Sequence, residues 1–136
     1  MVETAGSGDK MIYELPLPPS VNRYWRSYRG RVVVSAAAKA YRATVAALMH
    51  THQLEPLAGP VCVSITVYRE RKAGDLDNRI KIVLDAMQGI FYTNDKQVTE
   101  LHCYLADDKH KPRCIVDVVP TTPDGRGRHA APRGAV

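Results

Sequence analysis

Two short blocks of this sequence hold residues that could do chemistry: Gly74-Asp75-Leu76-Asp77-Asn78-Arg79-Ile80-Lys81 and Asn94-Asp95-Lys96-Gln97. Together they bring Asp75, Asp77, Asp95 and Lys81. Hard divalent cations such as Mg2+ take carboxylate oxygens, usually one or two of them plus water and substrate phosphate. The run from Asp77 to Ile90 between the blocks is amphipathic. At about 100° per residue, Ile80, Val83, Leu84 and Met87 share one face, with Asp77, Lys81, Asp85 and Gln88 on a polar stripe beside it. Lys81 faces the same way as Asp77, one turn earlier, and Asp85 is an i,i+4 partner for Lys81. Gly89 is a stop signal. Such a helix carries Asp75 and Asp77 at its start and returns Asp95 from its far end, so the three carboxylates and the lysine can meet at one place. The same spacing also describes plain helix capping at Asp75 and Asp77 and a turn at Asn94-Asp95. Spacing alone leaves both readings open.

The wording around the carboxylates narrows the choice. Gly-Asp-Leu-Asp-Asn-x-x-Lys at 74–81, Phe91-Tyr92-x-Asn94-Asp95-x-Gln97-Val98, and an early Pro18-Pro19-Ser20-Val21-Asn22-Arg23-Tyr24 resemble the RusA family in content and order. These are small, dimeric, Mg2+-dependent Holliday junction resolvases, often carried by phages and prophages. The resemblance covers roughly residues 11–119. It implies that Asp75, Asp77 and Asp95 are metal-binding catalytic aspartates and that Lys81 is the catalytic lysine. It further implies Mg2+, with Mn2+ as a substitute, a branched four-way DNA substrate and a homodimer. A flap- or fork-directed endonuclease, or a junction-binding module without cleavage, are the alternatives. The presence of all four residues argues against the latter.

Composition agrees with a nucleic-acid partner. The 136 residues carry a formal charge of +5 and a pI near 9.2, which favours a polyanion. In Asn22–Arg31, Arg23, Arg26, Arg29 and Arg31 alternate with Tyr24, Trp25 and Tyr28. Arginines fork onto phosphates and aromatic faces stack on unpaired bases; an arginine-rich loop covering the core edge is the plainer reading. Arg69, Arg71 and Lys72 are further candidate DNA contacts, since they adjoin the acidic block. Cys62, Cys103 and Cys114 are odd in number and lack Cys-x-x-Cys spacing, so neither a disulfide framework nor zinc is expected. They read as buried apolar residues of a cytoplasmic protein. No apolar run approaches the roughly 18 residues of a membrane span.

The elements that position these blocks follow from periodicity. A strand is expected at 11–17 with Met11, Tyr13 and Leu15 on one side, ended by Pro16, Pro18 and Pro19. Arg31–Val34 is β-prone, and Ser35 caps a helix over 36–51 that buries Ala38, Tyr41, Val45 and Leu48. Residues 61–68 form the clearest strand, with Val61, Val63, Ile65 and Val67 facing one way. Two more strands, 98–106 with Leu101, Cys103 and Leu105 on one side and 113–119 with Cys114, Val116 and Val118 inward, read as an antiparallel hairpin. Asp107 and Asp108 in the turn between them read as solvated. The expected architecture is α+β, a small mixed β-sheet with two packed helices. It spans 11–119, between a flexible extension at 1–10 and a flexible basic tail at 120–136.

Overall fold

The computed structural model describes residues 11–19, 25–28, 31–34, 36–70 and 76–121, with backbone alone at Met11, 25–28, 31–34 and 76–78. In chain order the elements are β1 (Met11–Leu15), β2 (Trp25–Tyr28), β3 (Arg31–Val34), α1 (Ala36–His50), β4 (Val61–Arg69), α2 (Leu76–Met87), β5 (Val98–Asp107) and β6 (Arg113–Pro120), with a 3-10 turn at Asp95–Gln97 before β5. Four strands form a mixed sheet in the order β1-β6-β4-β5, and β2 pairs with β3 in a separate two-stranded ribbon. The α+β class expected from the sequence is the one observed. The N-cap at Ser35, the extension at 1–10 and most of the tail lie outside the described residues.

β4 is a run of β-branched and small residues, and eight of its nine positions are buried, from Val61 to Tyr68. Val61, Val63, Ile65 and Val67 enter the main apolar cluster with Ala38, Tyr41, Val45 and Met49 of α1 and Ile80, Ile82, Val83, Ala86 and Met87 of α2. Cys62, Ser64, Thr66 and Tyr68 turn to the opposite face and are buried there as well. The helix expectations shift slightly. The α1 stripe ends on Met49 while Leu48 is 46% exposed, because steps of three, four and four residues from Ala38 hold the stripe closer to 3.6 per turn. In α2 the buried face is wider than the sequence reading and includes Ile82 and Ala86, leaving Leu84 only half-buried. Gly89 stands just past α2 with φ +87°, a left-handed conformation that glycine adopts without steric cost.

The last two strands correct the hairpin expectation. β5 pairs with β4 in parallel and β6 pairs with β4 in antiparallel, so β4 lies between them. Two strands with a third between them are about 9.6 Å apart, and the connection at 108–112 crosses the end of β4. That end holds the crossing in place. Asp108 N–H donates to the Arg69 carbonyl at 2.7 Å, and the Arg69 Nε donates to Asp107 at 2.7 Å. Asp108 itself accepts from the Lys111 and His110 backbone and from Arg113. These aspartates are structural partners of the turn, against the expectation of plain solvation. β5 is an edge strand of the sheet, and Leu101 and Cys103 are exposed on it although they share the core side with Ile65. Of the three cysteines expected to be buried, Cys62 and Cys114 are and Cys103 is exposed.

Ile65→Ala should lower the unfolding free energy by about 2–5 kcal/mol in urea denaturation, whereas Leu101→Ala should change it by less than about 0.5 kcal/mol. The bonds from the Lys111 backbone, Arg113 and the His110 backbone hold the Asp108 carboxyl below its usual 3.8. A carboxyl lowered on folding stabilises above its unfolded pKa, and that contribution is lost as pH falls through the folded one. Asp108→Asn should therefore lower the urea midpoint at pH 7, with the gap to the parent closing as the pH is taken below 3.8.

Candidate active site

α2 begins where the chain leaves β4 through residues 70–75, and Asp77 is its second residue. Asp75, Arg71 and Lys72 lie outside the described residues, as do the side chains of Asp77, Arg26 and Arg31; Arg23 and Arg29 lie outside altogether. Lys81, one turn beyond Asp77, is exposed on the outer side of α2. Asp85 continues the stripe, but its partner is Arg42 of α1; the expected pairing with Lys81 is not the one formed. Arg69 is likewise engaged by Asp107, and its side chain is 16% exposed, so its guanidinium serves the β4 end more directly than an open surface.

Asp95 is held by a well-built turn. The Asn94 side chain accepts from Lys96 N–H at 2.9 Å, and the Gln97 side chain accepts from both Thr93 and Asn94 N–H at 2.8 Å. This reciprocal arrangement is a capping box, which satisfies orphan donors at both its ends. The Gln97 amide then donates to the Leu57 and Gly59 carbonyls, 2.8 Å each. The turn is thereby tied to the loop ahead of β4. Asp95 is exposed, and its own N–H donates to the Gln88 side chain at 3.3 Å. Below it, the fully buried Tyr92 donates to the Leu84 carbonyl at 2.8 Å. Burial first, then the nearby Asp95 and Asp85 charges, push the Tyr92 phenol far above its usual pKa; it remains a neutral donor.

Within one chain, the backbone of Asp77 and the turn that carries Asp95 lie towards opposite ends of α2. Asp95 sits beside Gln88, just past the last turn of α2, whereas Asp77 lies in the first. The helix rise from Asp77 to Met87 is about 15 Å. Two carboxylates on one Mg2+ have their oxygens within about 4 Å of each other, which is short beside that rise. In kind, however, all-carboxylate oxygen donors suit a hard cation.

Sequence reasoning gave no role to Arg79, although it lies inside the acidic block. The residue is buried, 7% exposed, and its guanidinium donates to the Pro18 carbonyl at 2.7 Å. Burial, with Arg69 nearby, lowers its pKa. The contact joins the first turns of α2 to the proline segment that leads into the arginine- and aromatic-rich stretch. A signal was available: an arginine on the apolar side of an amphipathic helix, next to Ile80, needs a partner inside.

The sequence model of the family described as Endodeoxyribonuclease RusA matches residues 16–119. The chain is 43% identical over 89 residues to a protein of Escherichia coli strain K12 named crossover junction endodeoxyribonuclease RusA, covering 63% of this chain and 74% of the relative. Relatives of the same name from Enterobacteria phage 82 and Shigella sonnei are 42% and 40% identical over the same length. The chain belongs to the RusA family. No helix among the described residues is long and apolar enough to cross a membrane.

The capping box gives a local prediction. Gln97→Ala removes two accepted and two donated hydrogen bonds and should cost about 1–3 kcal/mol of stability. Amide exchange at Thr93, Asn94 and Lys96 should accelerate relative to β4, and nuclease activity should fall with it.

Proposed function

We propose that this chain resolves four-way DNA junctions by paired symmetric nicks in recombination and repair, as a Mg2+-dependent homodimer. One observation carries the reading: the family match over 16–119 spans Asp75, Asp77, Lys81 and Asp95, and relatives aligned over 89 residues bear the name crossover junction endodeoxyribonuclease. The charge of +5 supports a phosphate-rich partner.

Asp75, Asp77 and Asp95 would hold the cation, and Mn2+ would substitute for it. Bound there, Mg2+ supplies charge neutralisation at the scissile phosphate and a water acidic enough to attack at neutral pH. Lys81, exposed on α2 one turn after Asp77, would offer its ammonium to the phosphoryl oxygens. The separation of Asp77 and Asp95 along α2 supports a further element of this reading, that each site is completed across the dimer. Two α2 helices running antiparallel about a two-fold axis set the first turn of each against the last turn of the other. Asp95 of the partner subunit then joins Asp75 and Asp77, and the isologous interface generates two equal sites. A four-way junction has the matching two-fold symmetry. Arg23, Arg26, Arg29, Arg31, Arg71 and Lys72 would contact the DNA backbone, positioning it without selecting sequence.

An end-labelled synthetic four-way junction, with linear duplex and flap substrates alongside, tests the reading. Paired symmetric nicks confined to the junction, lost in EDTA, are expected. Equal cleavage of flaps would replace the resolvase by a flap- or fork-directed nuclease, and tight binding without cutting would leave a binding module. Asp77→Asn should abolish cleavage while junction binding is retained or tightened. Lys81→Ala should lose activity with a smaller loss of binding. Co-expression of Asp77→Asn with Asp95→Asn should restore cleavage at roughly a quarter of the parental sites, because each mixed dimer keeps one intact composite site. No recovery from the mixture would place each site within one chain.

A further inference from the structure

The face of the sheet turned away from the helices carries a second constellation. Cys62 is completely buried on β4 but takes no part in the apolar cluster under α1 and α2. Across the parallel pairing it faces Glu100 of β5, and Ser64 faces His102. The period of two along a strand puts Glu100 and His102 on the same side. The ligand atoms of Cys62, Glu100 and His102 all lie within 4.8 Å of one another, and His102 Nε2 meets the Glu100 carboxylate at 2.5 Å. A register shift sets this up. Val61 pairs with Val98 but Cys62 pairs with Glu100, so Thr99 is an extra residue in β5. Bulges of this kind re-aim the side chains that follow. Here it allows Val98 to pack against the core while Glu100, two residues on, points to the opposite face.

We propose that Cys62, Glu100 and His102 form a binding site for a borderline-soft divalent cation of the Zn2+ class, separate from the carboxylate site. Thiolate, imidazole and carboxylate are the donors such an ion takes, at about 2.3, 2.0–2.1 and 2.0–2.2 Å. Sulfur selects against Mg2+, which prefers oxygen. Three protein ligands leave a fourth position, and the half-exposed His102 and Glu100 open it to water. On loading, the ion takes the place of the His102–Glu100 hydrogen bond, and the Cys62 thiol proton leaves to solvent. The bound ion clamps the edge strand β5 to the central strand β4, just beyond the turn that carries Asp95. The spacing rules of sequence reading pass over such a site, because its ligands come from an x-Glu-x-His strand and a cysteine 38 residues earlier.

Co2+ is the probe, since thiolate ligation gives it an intense near-ultraviolet charge-transfer band that carboxylate ligation does not. Titrating the full chain should produce this band at one Co2+ per chain, displaced by Zn2+ and unmoved by excess Mg2+. Zn2+ should also raise the melting temperature of the parent. Cys62→Ser should abolish the band. His102→Ala, at a half-exposed position where folding is not at stake, should weaken Co2+ binding about tenfold or more. Cys103→Ser and Asp95→Asn should leave the band intact. A titration without the band, a band surviving in Cys62→Ser, or a band lost in Cys103→Ser would overturn the assignment.

Discussion

A strand buried on both faces has to find a partner on each edge and cover on each side, and β4 imposes that requirement on the whole domain. Its backbone donors and acceptors are satisfied by β5 on one edge and β6 on the other. Leaving them unpaired inside the protein would cost the desolvation of every one. Its odd-numbered side chains call for an apolar layer, which α1 and α2 supply. β1 then extends the sheet beside β6, and Tyr41 of α1 donates to the Pro16 carbonyl at 2.7 Å, fastening the end of β1 to the helix layer.

The parallel pairing of β4 with β5 has a direct consequence for the chemistry. A parallel connection must carry the chain back along the full length of the strand before the next one begins. α2 makes that return, so its first turn lies by the end of β4 and its last turn by the start of β5. Residues flanking α2 in sequence are thereby sent to opposite ends of the strand. Asp77 and Asp95 are such a pair. Their separation along α2 is a property of the crossover.

The two faces of the sheet differ in kind. Under the helices, the packing is aliphatic and aromatic, with Tyr13, Phe91 and Met87 filling it. On the opposite face Cys62, Ser64 and Thr66 are buried between flanking strands that present Glu100, His102, Tyr104, Ile115 and Asp117. Buried polar groups of this type persist where they are mutually bonded. Tyr68 closes the row, with the Arg113 guanidinium stacked 4.0 Å above its ring. Arg113 also reaches Asp108 at 2.8 Å, so the same side chain secures the crossing over β4.

Local pattern was enough for much of this protein. The alternation of Val61, Val63, Ile65 and Val67, the stripe of α1, the stop at Gly89 and the acidic blocks that mark the family are all legible in the sequence, because each depends on residues within a few positions of one another. The hairpin misreading, the exposure of Leu101 and Cys103, the salt bridge between Arg42 and Asp85, and the burial of Arg79 were not. Each depends on which strand neighbours which and on how far a helix reaches across a sheet. The residue types available for chemistry and the elements that carry them are local properties, written in the chain itself. Which ends of those elements come together is set by the packing, because β4 lies between β5 and β6 and α2 runs the length of the gap.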